Sequence, residues 1–282
     1  MFTPVTTGDG SLTFYSQEFG QTFHNPAGAY EEALEKFVLP CRIPDLAGTA
    51  SQIHLLDVCF GLGYNAAVAI SLIRQINPEV DIDVIGLERS PEVPAQAWAA
   101  GVSERWDPHI DWQTLLTQGH LSQDHIQANI LWGDARQTIL GIPDSWADAV
   151  FLDPFSPSVC PELWTVEFLG QVARCMTDTA RLATYSCSAA ARSAMLAAGL
   201  HIGSTPPVGR PWPGTLASKA PQDLPPLSPM DQEHLRTRAA IPFRDPDLRS
   251  CRDEIRRRRQ QEQQQTHLEP TSAWKKRWLH SL

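Results

Sequence analysis

The sequence predicts a doubly wound α/β domain with a mostly parallel sheet, and three observations carry that prediction. Apolar residues concentrate in four short runs, 53–58, 82–87, 126–132 and 147–152, which read as buried strands. The first run turns through Gly61 and Gly63 into Ala66, Ala67, Val68, Ile70, Leu72 and Ile73, apolar positions that fit a helix. The other three runs end in carboxylates: Glu88, Asp134 and Asp153. Ligands of open α/β sheets bind at the carboxyl ends of strands, so the recurrence marks one site. A glycine turn alone would be weak, since it also serves as a plain strand-to-helix connection.

The remaining elements follow in order. Residues 1–23 carry Gly8, Asp9 and Gly10 among apolar and polar positions, and predict a small β-hairpin ahead of the sheet. The chain then enters an amphipathic helix reaching about Leu39, with Glu31 and Glu32 early in it, where acids complement the helix dipole. Trp98, Trp106 and Trp112 fall between the second and third strands and are expected to anchor helix packing. Pro161 opens a helix expected to reach Met176. Residues 181–186 then form a fifth strand, and Ser188 starts a small-residue helix ending at Gly199. Residues 200–204 and 215–218 are expected to pair antiparallel across a turn rich in proline and glycine. Proline density rises again from 221, which predicts an extended wrap, and a terminal helix is expected from about Cys251 to Gln265. The chain divides into residues 1–40 (hairpin and helix), 41–220 (the α/β domain) and 221–282 (wrap and basic helix).

Composition narrows the function classes. Hydrophobic content of 42% and charged content of 20% over 282 residues are globular values. No apolar run approaches the ~18 residues of a membrane span, and the N-terminus lacks signal-peptide regions, so a cytoplasmic protein with no membrane partner is expected. The six cysteines show no C-x-x-C pair and the nine histidines no H-E-x-x-H, which predicts reduced thiols and no metal. A net charge of −9 argues against a general nucleic-acid binder. Residues 249–282, however, carry +5 against −14 for the rest, so the tail alone has the sign to meet phosphate. The arginine run 256–259, followed by glutamines, reads equally as a solvated helix.

A glycine turn followed by three strand-end acids, with Asp57 inside the first strand, suits S-adenosylmethionine better than a nicotinamide dinucleotide, which needs only the first two features. The pattern resembles a class I methyltransferase, with a Rossmann-like sheet and an antiparallel last strand. The most specific text is Asp153-Pro154-Phe155-Ser156-Pro157 followed by Pro161-Glu162-Leu163-Trp164-Thr165. A carboxylate after the fourth strand suits an amine acceptor, because it accepts an N–H bond, orients the lone pair and receives a proton. Helix capping is the plain alternative, but Asp153 precedes the next helix by too many residues.

These two stretches, with Gly-Ala-Tyr-Glu-Glu-Ala at 28–33 and Phe-Gly-Leu-Gly-Tyr-Asn at 60–65, resemble the tRNA (5-methylaminomethyl-2-thiouridine) methyltransferase family over about residues 10–220. The resemblance implies methyl transfer from S-adenosylmethionine to the 5-aminomethyl amine of the wobble uridine, with tRNA as partner. By position it implies cofactor contacts at Glu31, Glu32, Phe60, Gly61, Gly63, Asn65, Glu88, Asp134 and Ala135. It implies catalysis by Asp153 and contacts to the target base at Phe155 and Tyr30. Familiar members carry a fused flavin-dependent oxidase; this chain is expected to be the stand-alone type, without that flavin domain. Two departures stand out: Cys59 occupies the motif's first glycine position, and Tyr30 replaces a smaller apolar residue. An aminopropyltransferase of the same fold would also bring an aspartate to an amine, and a non-catalytic tRNA-binding protein could keep the fold; intact Glu88 and Asp153 argue against the latter.

Overall fold

Alternation decides where the central strand's side chains go. Along Gln52–Val58, Ile53 and Leu55 enter one hydrophobic core, and Leu56 and Val58 enter a second on the opposite face. A strand apolar on both faces must be covered on both. The computed structural model describes residues 2–278; Met1 and residues 279–282, the ends of the first and last expected segments, lie outside the described residues.

An antiparallel sheet of β1 (Phe2–Thr6), β2 (Leu12–Ser16) and β3 (Gln21–Thr22) comes first. Helix α1 (Ala29–Ala33) continues into a π-helical turn, Leu34–Val38, and is followed by α2 (Ile43–Thr49). The central strand is β4 (Gln52–Val58), followed by α3 (Tyr64–Ile76), β5 (Asp81–Glu88), α4 (Glu92–Ala99) and α5 (Trp112–Gln118). Next come β6 (His120–Gln123), β7 (Ile126–Trp132), α6 (Ala135–Thr138) and β8 (Ala147–Leu152). The sheet is completed through α7 (Val166–Cys175), β9 (Met176–Thr184), α8 (Ala189–Ala197), β10 (His201–Ser204) and β11 (Thr215–Ser218). Beyond it lie α9 (Pro229–His234), α10 (Arg252–Gln265) and α11 (Thr271–Trp278).

The eight-stranded sheet has the order β10-β11-β9-β8-β4-β5-β7-β6. Strands β9, β8, β4, β5 and β7 run parallel; β6 and β11 run against them, and β10, paired antiparallel to β11, runs with them. The chain moves outward from β4 through β5 to β7, then returns to lay β8 on the other side of β4. The crevice between the β4 and β8 tips is therefore the switch point where such sheets bind ligands.

The doubly wound architecture is the predicted one, with four differences. The N-terminal hairpin gains a third strand, β3. The helix expected over 161–176 breaks, because Thr165 is extended and its hydroxyl caps a new helix at the Phe168 N–H, while the Val166 N–H bonds the Phe243 carbonyl. Strand β9 starts at Met176, ahead of the expected Arg181, with a register irregularity opposite Ala147 and Ala149. Strand β6 and helices α9 and α11 were not expected; β6 reads His-Leu-Ser-Gln and buries only Leu121. Trp106 and Trp112 are buried edge-to-face against each other, with Tyr64 against Trp106, as packing anchors.

The arginine run is neither free nor simply solvated. Arg256 donates to the Ser158 carbonyl, Arg258 to Ser250 and Glu254, and Arg259 to the Ile241 and Ala239 carbonyls while lying over Phe243 at 4.5 Å. Arg257 is exposed and has no bonded partner among the described residues. Arg259→Ala is thus expected to lower stability by about 1.5–3 kcal/mol in urea unfolding, the worth of charged hydrogen bonds, whereas Arg257→Ala stays near wild type.

His24 pins the N-terminal sheet to the domain. Its Nδ1 lies 3.0 Å from the Thr13 hydroxyl, its backbone N–H donates to the same oxygen, and its ring meets Tyr64 edge-on. Burial pushes the imidazole down to about 4, against the opposing charges of Glu32 and Asp9. The unfolded histidine takes up a proton below its ordinary 6.5, and the folded one does not until about 4. Stability from this group is therefore present above pH 6.5 and lost as pH falls toward 4. The difference in unfolding free energy between wild type and His24→Gln should shrink across that window by roughly 3 kcal/mol.

Candidate active site

A cavity of about 820 Å³ opens at the carboxyl ends of β4, β5, β7, β8 and β9, with the N-terminal sheet along its opposite wall. Its first wall is the turn after β4. Cys59, Gly61 and Gly63 all take left-handed backbone, with φ of 69°, 56° and 89°. Glycine suits that region; Cys59 holds it at about 1–2 kcal/mol of strain. Cys59 and Gly61 line the cavity, and burial pushes the Cys59 thiol well up.

Glu88 closes β5 beside this turn. One carboxylate oxygen accepts the Gly61 N–H at 3.0 Å and the other accepts the Ser90 N–H at 3.1 Å. Burial raises its pKa in spite of these bonds. A carboxylate keeps further acceptor sites after two such bonds, and here they face the cavity, as a ribose diol requires. Asp134, after β7, lines the cavity but is already engaged: it caps α6 at the Arg136 N–H and pairs with the Arg136 guanidinium at 2.7 Å. Arg136 reaches on to the buried Asp245 at 2.8 Å. Ala135 lines the same wall.

Across the switch point, Asp153 follows β8. Its N–H bonds the Val58 carbonyl at 3.0 Å, and Asn65 Nδ2 donates to its Oδ2 at 3.1 Å. It forms no ion pair among the described residues. Burial, then the neighbouring Glu32 carboxylate, push its pKa well above the carboxylate range, opposed by Asn65 and Lys36. Glu32 accepts the Asn25 N–H at 2.6 Å and pairs with the wholly buried Lys36 at 3.3 Å, one helical turn on. Phe155 stacks on Phe19 of the N-terminal sheet at 4.2 Å, and Arg252 lies over the outer ring at 5.1 Å.

Some expected residues lie elsewhere. Glu31 is exposed, its N–H bonded to Asp9, and Tyr30 faces Arg105 at 5.6 Å; neither lines the cavity. Adjacent residues on a helix diverge by about 100°, so only one of the two glutamates can turn inward. Phe60 and Gly63 support the wall from behind. A Cβ on Gly86 would sit 2.8 Å from the Phe60 ring, and one on Gly63 3.1 Å from it. Asn65 reaches the cavity only through Asp153. Sequence reasoning left out Lys36, Tyr185 and Arg210. Asp57, noted inside the first strand, is fully buried with both oxygens lacking a hydrogen-bond partner, and burial pushes its pKa well above the ordinary carboxylate range. Tyr185, just past β9, obeys the same strand-end rule that selected Glu88 and would have been found by it.

Glu32, Glu88 and Asp153 give the cavity an acidic excess with bridging acceptors, and its volume suits a nucleoside. That donor set fits S-adenosylmethionine, which carries a sulfonium and an ammonium. No cluster of His, Cys, Asp or Glu able to hold a metal occurs among the described residues, and no helix there is long and apolar enough to cross a membrane. A family described as S-adenosyl-L-methionine-dependent methyltransferases matches residues 96–220, and with this fold and site it defines the chain as a class I methyltransferase that uses that cofactor. MnmC2 from Aquifex aeolicus superposes with a TM-score of 0.82 at 30% identity, covering 94% of this chain and 86% of that one. The chain belongs to the MnmC2 family of methyltransferases. An uncharacterized protein of Methanocaldococcus jannaschii is 31% identical over 89% of this chain and 69% of that protein. The tRNA 5-methylaminomethyl-2-thiouridine biosynthesis bifunctional protein MnmC of Aromatoleum aromaticum is 30% identical over 71% of this chain. The match covers 32% of that protein, so the chain spans about a third of the length of its bifunctional relatives.

Proposed function

We propose that this enzyme methylates the 5-aminomethyl amine of the wobble uridine in tRNA, giving 5-methylaminomethyl-(2-thio)uridine, in the cytoplasm. The observation that carries the reading is Asp153: a carboxylate held by Asn65 at the β8 tip, free of any ion pair among the described residues, with a raised pKa. A base whose pKa is raised above the ordinary carboxylate range is better matched to taking a proton from an ammonium. The bifunctional relatives named for 5-methylaminomethyl-2-thiouridine biosynthesis supply the amine in question.

Bound S-adenosylmethionine supplies an electrophilic methyl on its sulfonium. The protein's part is positioning and proton handling. Glu88 holds the ribose hydroxyls, Gly61 lets the backbone approach, and Asp134 and Ala135 border the adenine. Glu32, paired with Lys36, faces the amino-acid end. Asp153 accepts an N–H of the acceptor amine, aims its lone pair and takes its proton, while Phe155 bears on the uracil ring.

The test is incubation of purified protein and cofactor with tRNA carrying 5-aminomethyluridine, read by mass spectrometry of the wobble nucleoside. Gain of one methyl is the expected result. Transfer of an aminopropyl group to small diamines when decarboxylated cofactor is supplied, with the tRNA unchanged, would establish the aminopropyltransferase-like alternative in its place.

A further inference from the structure

The half of the cavity beyond Asp153 holds a guanidinium that the reaction described so far does not use. Arg210 lies in the proline-rich turn between β10 and β11 and lines the cavity with Asp153, Pro154 and Tyr185. Its Nη2 donates to the Tyr185 carbonyl at 2.5 Å, and its Cζ lies 4.9 Å above the Tyr185 ring. The Tyr185 hydroxyl in turn donates to the Pro154 carbonyl at 2.8 Å. Tyr185 therefore ties the guanidinium to the residue that follows Asp153.

The other arginines lining the cavity are already engaged. Arg89 pairs with Glu18, and Arg136 with Asp134 and Asp245. Arg210 has no carboxylate partner among the described residues, and its Nε is buried without a hydrogen-bond acceptor. A buried, unpaired donor on a group that never loses its proton is costly to maintain, and it is satisfied by an acceptor oxygen brought in by a ligand.

Position in the sheet says which ligand. Gly61, Glu88 and Asp134 stand at the tips of β4, β5 and β7, on one side of the switch point. Asp153, Tyr185 and Arg210 stand at β8, β9 and the turn before β11, on the other. The oxygen that Arg210 meets thus belongs to the acceptor. In a 5-aminomethyl pyrimidine the reacting amine hangs from C5, and the neighbouring C4 bears a carbonyl acceptor in uracil but an amino donor in cytosine. A fixed donor close to the amine's own acceptor faces that ring position.

We propose that Arg210 is a specificity-determining residue, donating to the ring carbonyl next to the aminomethyl carbon and so selecting uracil over cytosine. This inference rests on the function proposed above. A cytosine would set donor against donor and leave the Arg210 Nε–H unpaired.

The experiment compares two anticodon stem–loop RNAs, identical except for 5-aminomethyluridine or 5-aminomethylcytidine at the target position. Wild type, Arg210→Met and Arg210→Lys are assayed, with cofactor calorimetry on each preparation. Wild-type kcat/KM should favour the uridine RNA by roughly 10- to 100-fold, the scale of one good base contact. Arg210→Met should lose that factor on the uridine RNA and keep the cytidine rate, with cofactor affinity unchanged. Arg210→Lys, which keeps the charge but not the planar fork, should fall between the two and carries the comparison if the methionine variant does not fold. Equal losses on both RNAs would make Arg210 a phosphate contact and overturn the inference. So would an unchanged uridine preference, or a parallel fall in cofactor affinity, which would give its partner as the cofactor carboxylate. A wild type that binds cofactor but methylates neither RNA would remove the proposed substrate itself.

Discussion

Asp153→Asn should lower single-turnover methylation of aminomethyl-uridine tRNA by roughly 10²–10⁴-fold, the usual reach of a general base, while cofactor affinity stays at its wild-type value. The substitution keeps the side chain's size and its place beside Asn65, and removes only charge and basicity. The pH dependence should change with it. Burial and Glu32 raise the Asp153 pKa, so the wild-type rate climbs as pH rises through a value above the ordinary carboxylate range. In the asparagine variant that limb disappears. A variant that methylates at the wild-type rate would take Asp153 out of the chemistry. One that loses rate and cofactor binding together would move it to the cofactor's half of the cavity.

Glu88→Ala should weaken S-adenosylmethionine binding by about 1.5–3 kcal/mol in calorimetry, through loss of charge-assisted bonds to the ribose. The structure adds a second consequence, since Glu88 also holds the Gly61 and Ser90 N–H groups. The alanine variant therefore loosens the left-handed turn as well as the ribose seat, and its melting temperature should fall. Glu88→Gln keeps the size and part of the acceptor capacity, and so separates the two effects. Because burial raises the Glu88 pKa, wild-type affinity should weaken as pH falls through that value, where the protonated carboxyl turns one acceptor into a donor. Unchanged affinity in a folded Glu88→Ala protein would remove the ribose assignment.

What could be read from the sequence tracks how strongly one physical constraint acts on one stretch. Strands β7 and β8 were legible to the residue: β8 is buried on both faces and carries few polar positions, and β7 alternates buried apolar with exposed polar residues along Ile126–Ile130. Strand β6 was not, since an edge strand covered on one side can read His-Leu-Ser-Gln. The helix from Pro161 looked continuous because its apolar spacing is unbroken, and the Thr165 cap together with the tertiary contact between Val166 and Phe243 divides it. In the site, Glu88 and Asp153 followed from strand ends. Phe60 and Gly63 resembled cofactor contacts but answer to each other and to Gly86. Arg210 carries no local signal at all, because its partner Tyr185 lies 25 residues away in the chain.

The wall formed by the N-terminal sheet has a consequence for how the molecule assembles. Gln21 donates to Ser156 across 135 residues, and Phe19 stacks on Phe155 over a similar separation. Synthesis runs from the N-terminus at about 5–20 residues per second, so these side chains emerge many seconds before the loop that receives them. Until then the N-terminal sheet is held to the domain through Tyr64, by its hydroxyl on Leu12 and its ring on His24, with Phe19 left without its aromatic partner. Contacts of such high contact order come late in folding. The cofactor's half of the cavity, built from β4, β5 and β7, is complete before Phe155 and Ser156 close on this wall. A nascent chain released after β7 should therefore hold the ribose seat, yet lack both the acceptor aspartate and the Phe155 stack that closes the wall over it.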